Sequence, residues 1–150
     1  MNLSTHFTAE EFERTSTGLP NKIPPQLLPK LQDLCEHVLE PVREHFKRPI
    51  RINSGYRSPA VNAAVGSKPT SQHAKGEAAD IEVPGVSNLV LAEWIRSNLE
   101  FDQLILEAHR KGDPSSGWVH VSWKAGPKRN QVLTMTLGSH GPVYSQGLPE

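Results

Sequence analysis

The segment Ser71-Gln-His-Ala-Lys-Gly-Glu-Ala-Ala-Asp80 sets an imidazole, His73, and a carboxylate, Asp80, seven residues apart with Gly76 between them. Both are metal-binding groups: zinc takes imidazole nitrogen and carboxylate oxygen at about 2.0–2.2 Å, and a catalytic zinc keeps three protein ligands and one open position. A third ligand stands in Trp118-Val-His-Val-Ser122. On a strand, Val119, Val121 and Trp123 share one face and His120 points to the other. His73, Asp80 and His120 therefore make a candidate two-histidine, one-carboxylate site. The same donor set suits non-haem iron as well as zinc. Each residue also has an ordinary use: His73 as a loop cap, Asp80 as a strand-edge carboxylate, His120 as a core histidine between valines.

These side chains need a frame, and the flanking sequence supplies one. Pro49–Asn53 and Ala79–Val83 alternate apolar and polar residues and predict strands, ended by Ser54-Gly55 and Pro84-Gly85. Residues 66–76 form a polar loop, so His73 lies on a loop and Asp80 near a strand's start. Further strands are predicted at 103–107, 118–123 and 131–136, the first two forming an antiparallel hairpin through the turn at 112–117. Ahead of them, Thr8-Ala-Glu-Glu11 is a capping box that opens a helix through about Arg14. Leu27, Leu31, Leu34, Cys35, Val38, Val42 and Phe46 form one apolar stripe on a helix from about Pro25 to Lys47. Pro41 should kink it or split it in two. Pro59 to Val65 predicts a short helix, and Ser87 should cap another whose Val90, Leu91, Trp94 and Ile95 face one side. Helices ahead of a mostly antiparallel sheet make an α+β class. One domain is expected over 1–150, with its core at about 4–137 and a loosely held tail at 138–150.

Composition narrows the partners. A length of 150 residues suits one domain. The 16 Lys plus Arg balance 16 Asp plus Glu, so no broad field draws the protein to nucleic acid or anionic lipid, and neither is an expected partner. Thirteen Pro and eleven Gly predict a loop-rich chain with functional groups on irregular segments. The single Cys35 excludes an intramolecular disulfide and a thiolate zinc site, and its place in the apolar stripe makes it a small core residue. No apolar run is long enough to span a bilayer, and Met1–Phe12 lacks the basic-then-apolar form of a secretory signal. Synthesis in the cytoplasm without membrane insertion is expected. His37 and His45 read as solvated, His6, His109 and His140 lack partners at ligand spacing, and Lys47-Arg48 and Lys128-Arg129 read as solvated charge pairs.

Ser54-Gly-Tyr-Arg-Ser58, then S-x-H-x-x-G-x-A-x-D over 71–80, then Trp118-Val-His-Val-Ser122, in that order, resemble the zinc D-alanyl-D-alanine metallopeptidase family. That family includes bacterial D,D-carboxypeptidases, dipeptidases and phage endolysins, and shares its core fold with the hedgehog signalling domain. The likeness runs from about residue 4 to 123. It implies a hedgehog-like, D,D-peptidase-like fold with a central sheet and flanking helices, and one zinc ion per chain on His73, Asp80 and His120. It also implies that Arg57 lies in the substrate cleft, where a permanently charged fork could hold a carbonyl oxygen or a carboxylate as negative charge develops. Tyr56, Ser71, Gln72 and Trp118 are candidate substrate contacts, with packing or loop shaping as their other use. Many relatives carry an acid three positions before the second histidine, where this chain has Gly117. Glu107 ends the strand that pairs with the one bearing His120, so the hairpin would bring its carboxylate across as general base, and Phe101–Glu107 resembles the family branch with its acid there. Asp113 is the alternative, although Asp-Pro in a turn more often starts a loop.

The function expected on these grounds is zinc-dependent hydrolysis of peptidoglycan stem or cross-link peptides containing D-alanine, by a monomeric phage-type endolysin that reaches the wall after holin-type release. The competing readings are a D-Ala-D-Ala carboxypeptidase or dipeptidase acting on small peptides, and a non-catalytic zinc-containing binding module or phage structural module.

Overall fold

The computed structural model describes residues 1–150. Its first helix, α1 (Ala9–Glu13), is held by the capping box: the Thr8 hydroxyl accepts from the Glu11 N–H, and Glu11 Oε1 accepts from the Thr8 N–H. Phe12 is fully buried, and its carbonyl accepts the N–H of Tyr56, tying α1 to the turn that carries Arg57.

The apolar stripe forms a broken helix. A 3₁₀ turn (Pro25–Leu27) leads into α2 (Leu28–Leu34), a single π turn (Cys35–Leu39) and α3 (Glu40–Phe46). In the π turn the Glu40 N–H reaches back to the Cys35 carbonyl. Pro41 follows at once. It has no N–H, and its ring would press on the carbonyl four residues back, so the wider turn before it relieves the clash without ending the helix. Leu31, Leu34, Cys35, Val38, Leu39 and Val42 from this rod are all fully buried.

The rod packs on a six-stranded sheet of order β1-β2-β4-β3-β5-β6: β1 (Arg51–Ser54), β2 (Ala78–Glu82), β3 (Gln103–Glu107), β4 (Trp118–Ser122), β5 (Gln131–Gly138) and β6 (Gly141–Gln146). Every pairing is antiparallel except β3 with β5. Alternation sorts the side chains. Ala79, Ile81, Leu104, Leu106, Val119 and Val121 enter the core beneath the broken helix and α5 (Asn88–Asn98), while Asp80, Glu107, Trp118 and His120 take the opposite face. Between β1 and β2 lies α4 (Pro59–Ala64), whose cap Ser58 accepts from the Val61 N–H. No helix is long and apolar enough to cross a membrane.

Two expectations change. Val90 is 49% exposed, while Leu91, Ala92 and Ile95 are fully buried. Residues one apart diverge by about 100° around a helix, so the core-facing stripe of α5 runs through 88, 91, 92 and 95 and leaves 90 outside. The segment expected as a loose tail also holds a strand. Gly138 pairs with Gly141 at a tight turn, and β6 continues against β5 to the pair Leu133 and Gln146. Val143 and Tyr144 are exposed, so β6 carries none of the apolar alternation that would have announced it. Beyond it, the Gly147 N–H donates to the Val132 carbonyl at 2.8 Å and Leu148 packs against the core.

Candidate metal centre and active site

Sheet register sets Asp80 of β2 directly opposite His120 of β4. Nδ1 of His120 lies 3.1 Å from Asp80 Oδ1. His73 arrives from the loop between α4 and β2, which turns back at Gly76 in the left-handed region (φ 72). Its Nε2 lies 3.3 Å from the same oxygen, Asp80 Oδ1, and its Nδ1 lies 2.8 Å from the Gly55 carbonyl. All three residues are buried. A carbonyl can only accept, so Nδ1 of His73 carries the hydrogen, and Nε2 of the neutral ring offers a lone pair. That lone pair faces a carboxylate oxygen, an arrangement that is repulsive until a proton or a cation lies between them. One potential ligand atom from each of the three residues falls within 4.8 Å of the others. Neutral imidazole backed by a carbonyl, a second imidazole and a carboxylate form a donor set that fits a zinc ion.

Arg57 flanks this cluster. Its Nη2 donates to Asp80 Oδ2 at 3.2 Å, Nε to Ser54 Oγ at 3.0 Å and Nη1 to Ser67 Oγ at 3.2 Å. Burial works to raise the Asp80 carboxyl, but once a proton lies between it and the facing rings, the charge and hydrogen bonds of His73 and His120 outweigh burial and hold the group well below the ordinary carboxylate range. Asp80 is therefore ionised and ready to balance a cation.

On β3, Ile105 pairs with His120 and Glu107 with Trp118, which makes Glu107 the diagonal neighbour of His120 on the same face. Burial pushes its carboxyl above the usual glutamate value, and the nearby Asp80 charge adds to this while His120 and Arg57 work against it. Glu107 lines one cavity of about 640 Å³ together with His73, Asp80, His120 and Arg57, so an acid, a cation and three convergent donors share one opening.

A family model described as peptidase M15 matches residues 5–122. The chain belongs to the peptidase M15 family. Comparison with curated proteins finds no match. M15 membership implies a zinc peptidase, and His73, Asp80 and His120 of this M15 chain could hold the metal.

Gly117 explains why the acid of this M15 protein cannot stand three residues before the second histidine. Its φ of 69° is left-handed, and a Cβ there would collide with the backbone carbonyl oxygen of Glu107. The other candidate, Asp113, lies away from the cavity: its carboxylate pairs with Arg110 at 2.8 Å and caps the Ser115 N–H. Ser71, Gln72 and Trp118 all line the cavity. Ser71 also accepts from the His73 N–H, so it shapes the loop as well. Tyr56 is a correction. It is 4% exposed within the core cluster and does not line the cavity, because its N–H is bonded to Phe12 and the turn carries its ring inward.

Other cavity residues escaped the sequence. Arg129, read there as half of a solvated pair, lines the cavity and bonds Asp102, which is 1% exposed. Tyr144 enters from β6, the strand taken for tail. His6, without a partner at ligand spacing in the sequence, meets Glu40 at 2.6 Å, and His109 is buried. His37 and His45 are exposed as expected but stack on Trp123 and Trp94, with ring centroids 4.2 and 4.4 Å apart.

Proposed function

We propose that this M15 peptidase hydrolyses peptidoglycan stem or cross-link peptides containing D-alanine, with one zinc ion held by His73, Asp80 and His120 and with Glu107 as general base. The observation that carries it is the convergence of three buried donor residues in the same cavity that Glu107 lines. Bound there, zinc would supply Lewis acidity, polarising a carbonyl and lowering the pKa of a water from 15.7 to about 7. Glu107, at the edge of the cavity, takes a proton from the attacking water and returns it to the departing amine. Its burial suits the first half of that exchange, because a carboxyl raised above the usual glutamate value makes its carboxylate a stronger base towards the attacking water than an exposed glutamate would be. Arg57, already aligned by Ser54, Ser67 and Asp80, holds the carbonyl oxygen as negative charge develops. Gln72 and Trp118 offer the peptide a polar and an aromatic wall.

The setting proposed is phage-type lysis by a monomer made in the cytoplasm and released to the wall through a holin-type pore. The test is release of new amine groups from purified peptidoglycan by zinc-loaded protein, beside Glu107→Gln and a chelated control. Activity lost in both controls is expected, and mass spectrometry of the products then identifies the bond. No release from wall or from small D-alanyl peptides, in protein holding one zinc per chain, would favour a binding module instead.

A further inference from the structure

Arg129 sits on the connection from β4 to β5 and reaches the same cavity as the candidate metal ligands. Its side chain is 50% exposed, yet it is held from behind. The buried Asp102 accepts Nε at 3.0 Å and Nη2 at 2.7 Å on Oδ2, and accepts the Arg129 backbone N–H at 2.9 Å on Oδ1. Gln72 closes the set, accepting from Nη2 at 3.2 Å and donating to Asp102 Oδ2 at 3.1 Å. Nη1 has no protein partner. A guanidinium clamped along one edge by a buried carboxylate has already lost its rotamer freedom, so a ligand meeting its free corner meets a preorganised donor.

The other cations of the cavity are less available. Each nitrogen of Arg57 already has a partner, and Lys68 is an exposed point charge on a flexible stem. Of the charged residues lining the cavity, Arg57, Lys68 and Arg129 are positive and Asp80 and Glu107 negative, and a divalent ion would add to the positive side. Such a cleft favours an anionic peptide. Gln72 also adjoins His73 in sequence, so the clamp is joined to the loop that carries a candidate ligand.

We propose that Arg129 is a specificity-determining residue that binds a carboxylate of the peptide, either its C-terminal carboxylate or a side carboxylate of the stem. This rests on the cavity being a peptide site. The experiment is calorimetric binding to zinc-loaded Glu107→Gln protein, with Arg129 intact or replaced by Gln or Lys. The probes are diacetyl-L-lysyl-D-alanyl-D-alanine as free acid and as C-terminal amide, and an L-alanyl-γ-D-glutamyl-L-lysine peptide with its glutamyl α-carboxylate free or amidated.

The intact protein should prefer the acid over the amide in one pair by about tenfold or more, as expected for a charge-assisted hydrogen bond, and the pair that shows it identifies the carboxylate. Arg129→Gln should abolish the preference and Arg129→Lys should retain part of it. Each preference is a ratio taken on one sample, so a partly unfolded variant does not distort it. An equal preference with and without Arg129, or none in the intact protein, overturns the proposal. Turnover by wild-type protein of the same four peptides is scored separately. Turnover without acid preference removes the role of Arg129 and keeps the peptidase, whereas preference in binding without turnover keeps the subsite and removes the peptidase.

Discussion

At the end of the β3–β4 hairpin the backbone carbonyl of Glu107 crowds Gly117, which leaves no room for a second acid. Gly117→Asp should lower stability by about 2–4 kcal/mol, measured by urea unfolding, because it adds left-handed strain and a backbone clash together. Glu107→Gln should keep its metal, measured by elemental analysis, and lose at least about 100-fold in amine release. The same variant carries a pH signature. Burial raises the Glu107 carboxyl, so the folded protein disfavours its charged form, and the stability associated with the neutral form is present below the unfolded value and lost as pH rises through the folded one. Metal-free Glu107→Gln should therefore melt above metal-free wild type at about pH 7 and level with it near pH 4. A gap of the same size at both values would sink that account. The candidate metal triad was legible through the order of three motifs that resemble a known family, because spacing alone left each residue an ordinary use as loop cap, strand-edge carboxylate or core histidine. Arg129 was not, since nothing local separates a solvated arginine from one clamped by an aspartate 27 residues earlier.

Asp102 acts at the scale of elements: it stands at the entry to β3 and holds the connection from β4 to β5 through Arg129. Burial works to raise its carboxyl, but the Arg129 contacts outweigh this and lower it. Its contribution is therefore present above the unfolded aspartate value of about 3.9 and is lost as pH falls through the lower folded one. Asp102→Asn should cost about 1.5–3 kcal/mol at neutral pH, with the difference shrinking on acidification in parallel denaturant titrations. Deletion of residues 139–150 should lower the melting temperature and speed hydrogen exchange at the β5 amides that face β6. The break near Pro41 was legible because proline lacks a donor whatever its surroundings. Its form, a π turn before the proline, depends on how the rod seats on the sheet. β6 stayed hidden because an edge strand with exposed side chains is held by backbone bonds, which leave no mark on residue type.

Across the whole molecule, the candidate metal donors come from three places: the loop before β2, β2 itself and β4. An ion binding all three stabilises the folded chain and not the unfolded one. Chelation should lower the melting temperature by several degrees, and His120→Ala should erase the difference between chelated and metal-loaded samples in a thermal scan. The α+β class and the mostly antiparallel sheet followed from pattern alone. The strand order did not, because the parallel β3–β5 pairing depends on contacts between distant segments.

Cys35 extends this to time. The protein's single thiol lies fully buried in the π turn, and burial pushes it up to about 12, so a thiol reagent finds no reactive thiolate while the fold is closed. Labelling must wait for the broken helix to lift from the sheet, which makes Cys35 a native clock for that opening. If the opening that exposes it also dissolves the metal centre, zinc should slow the clock by the same factor by which it stabilises the fold. A labelling rate indifferent to zinc would mean that the rod breathes while the metal centre stays shut.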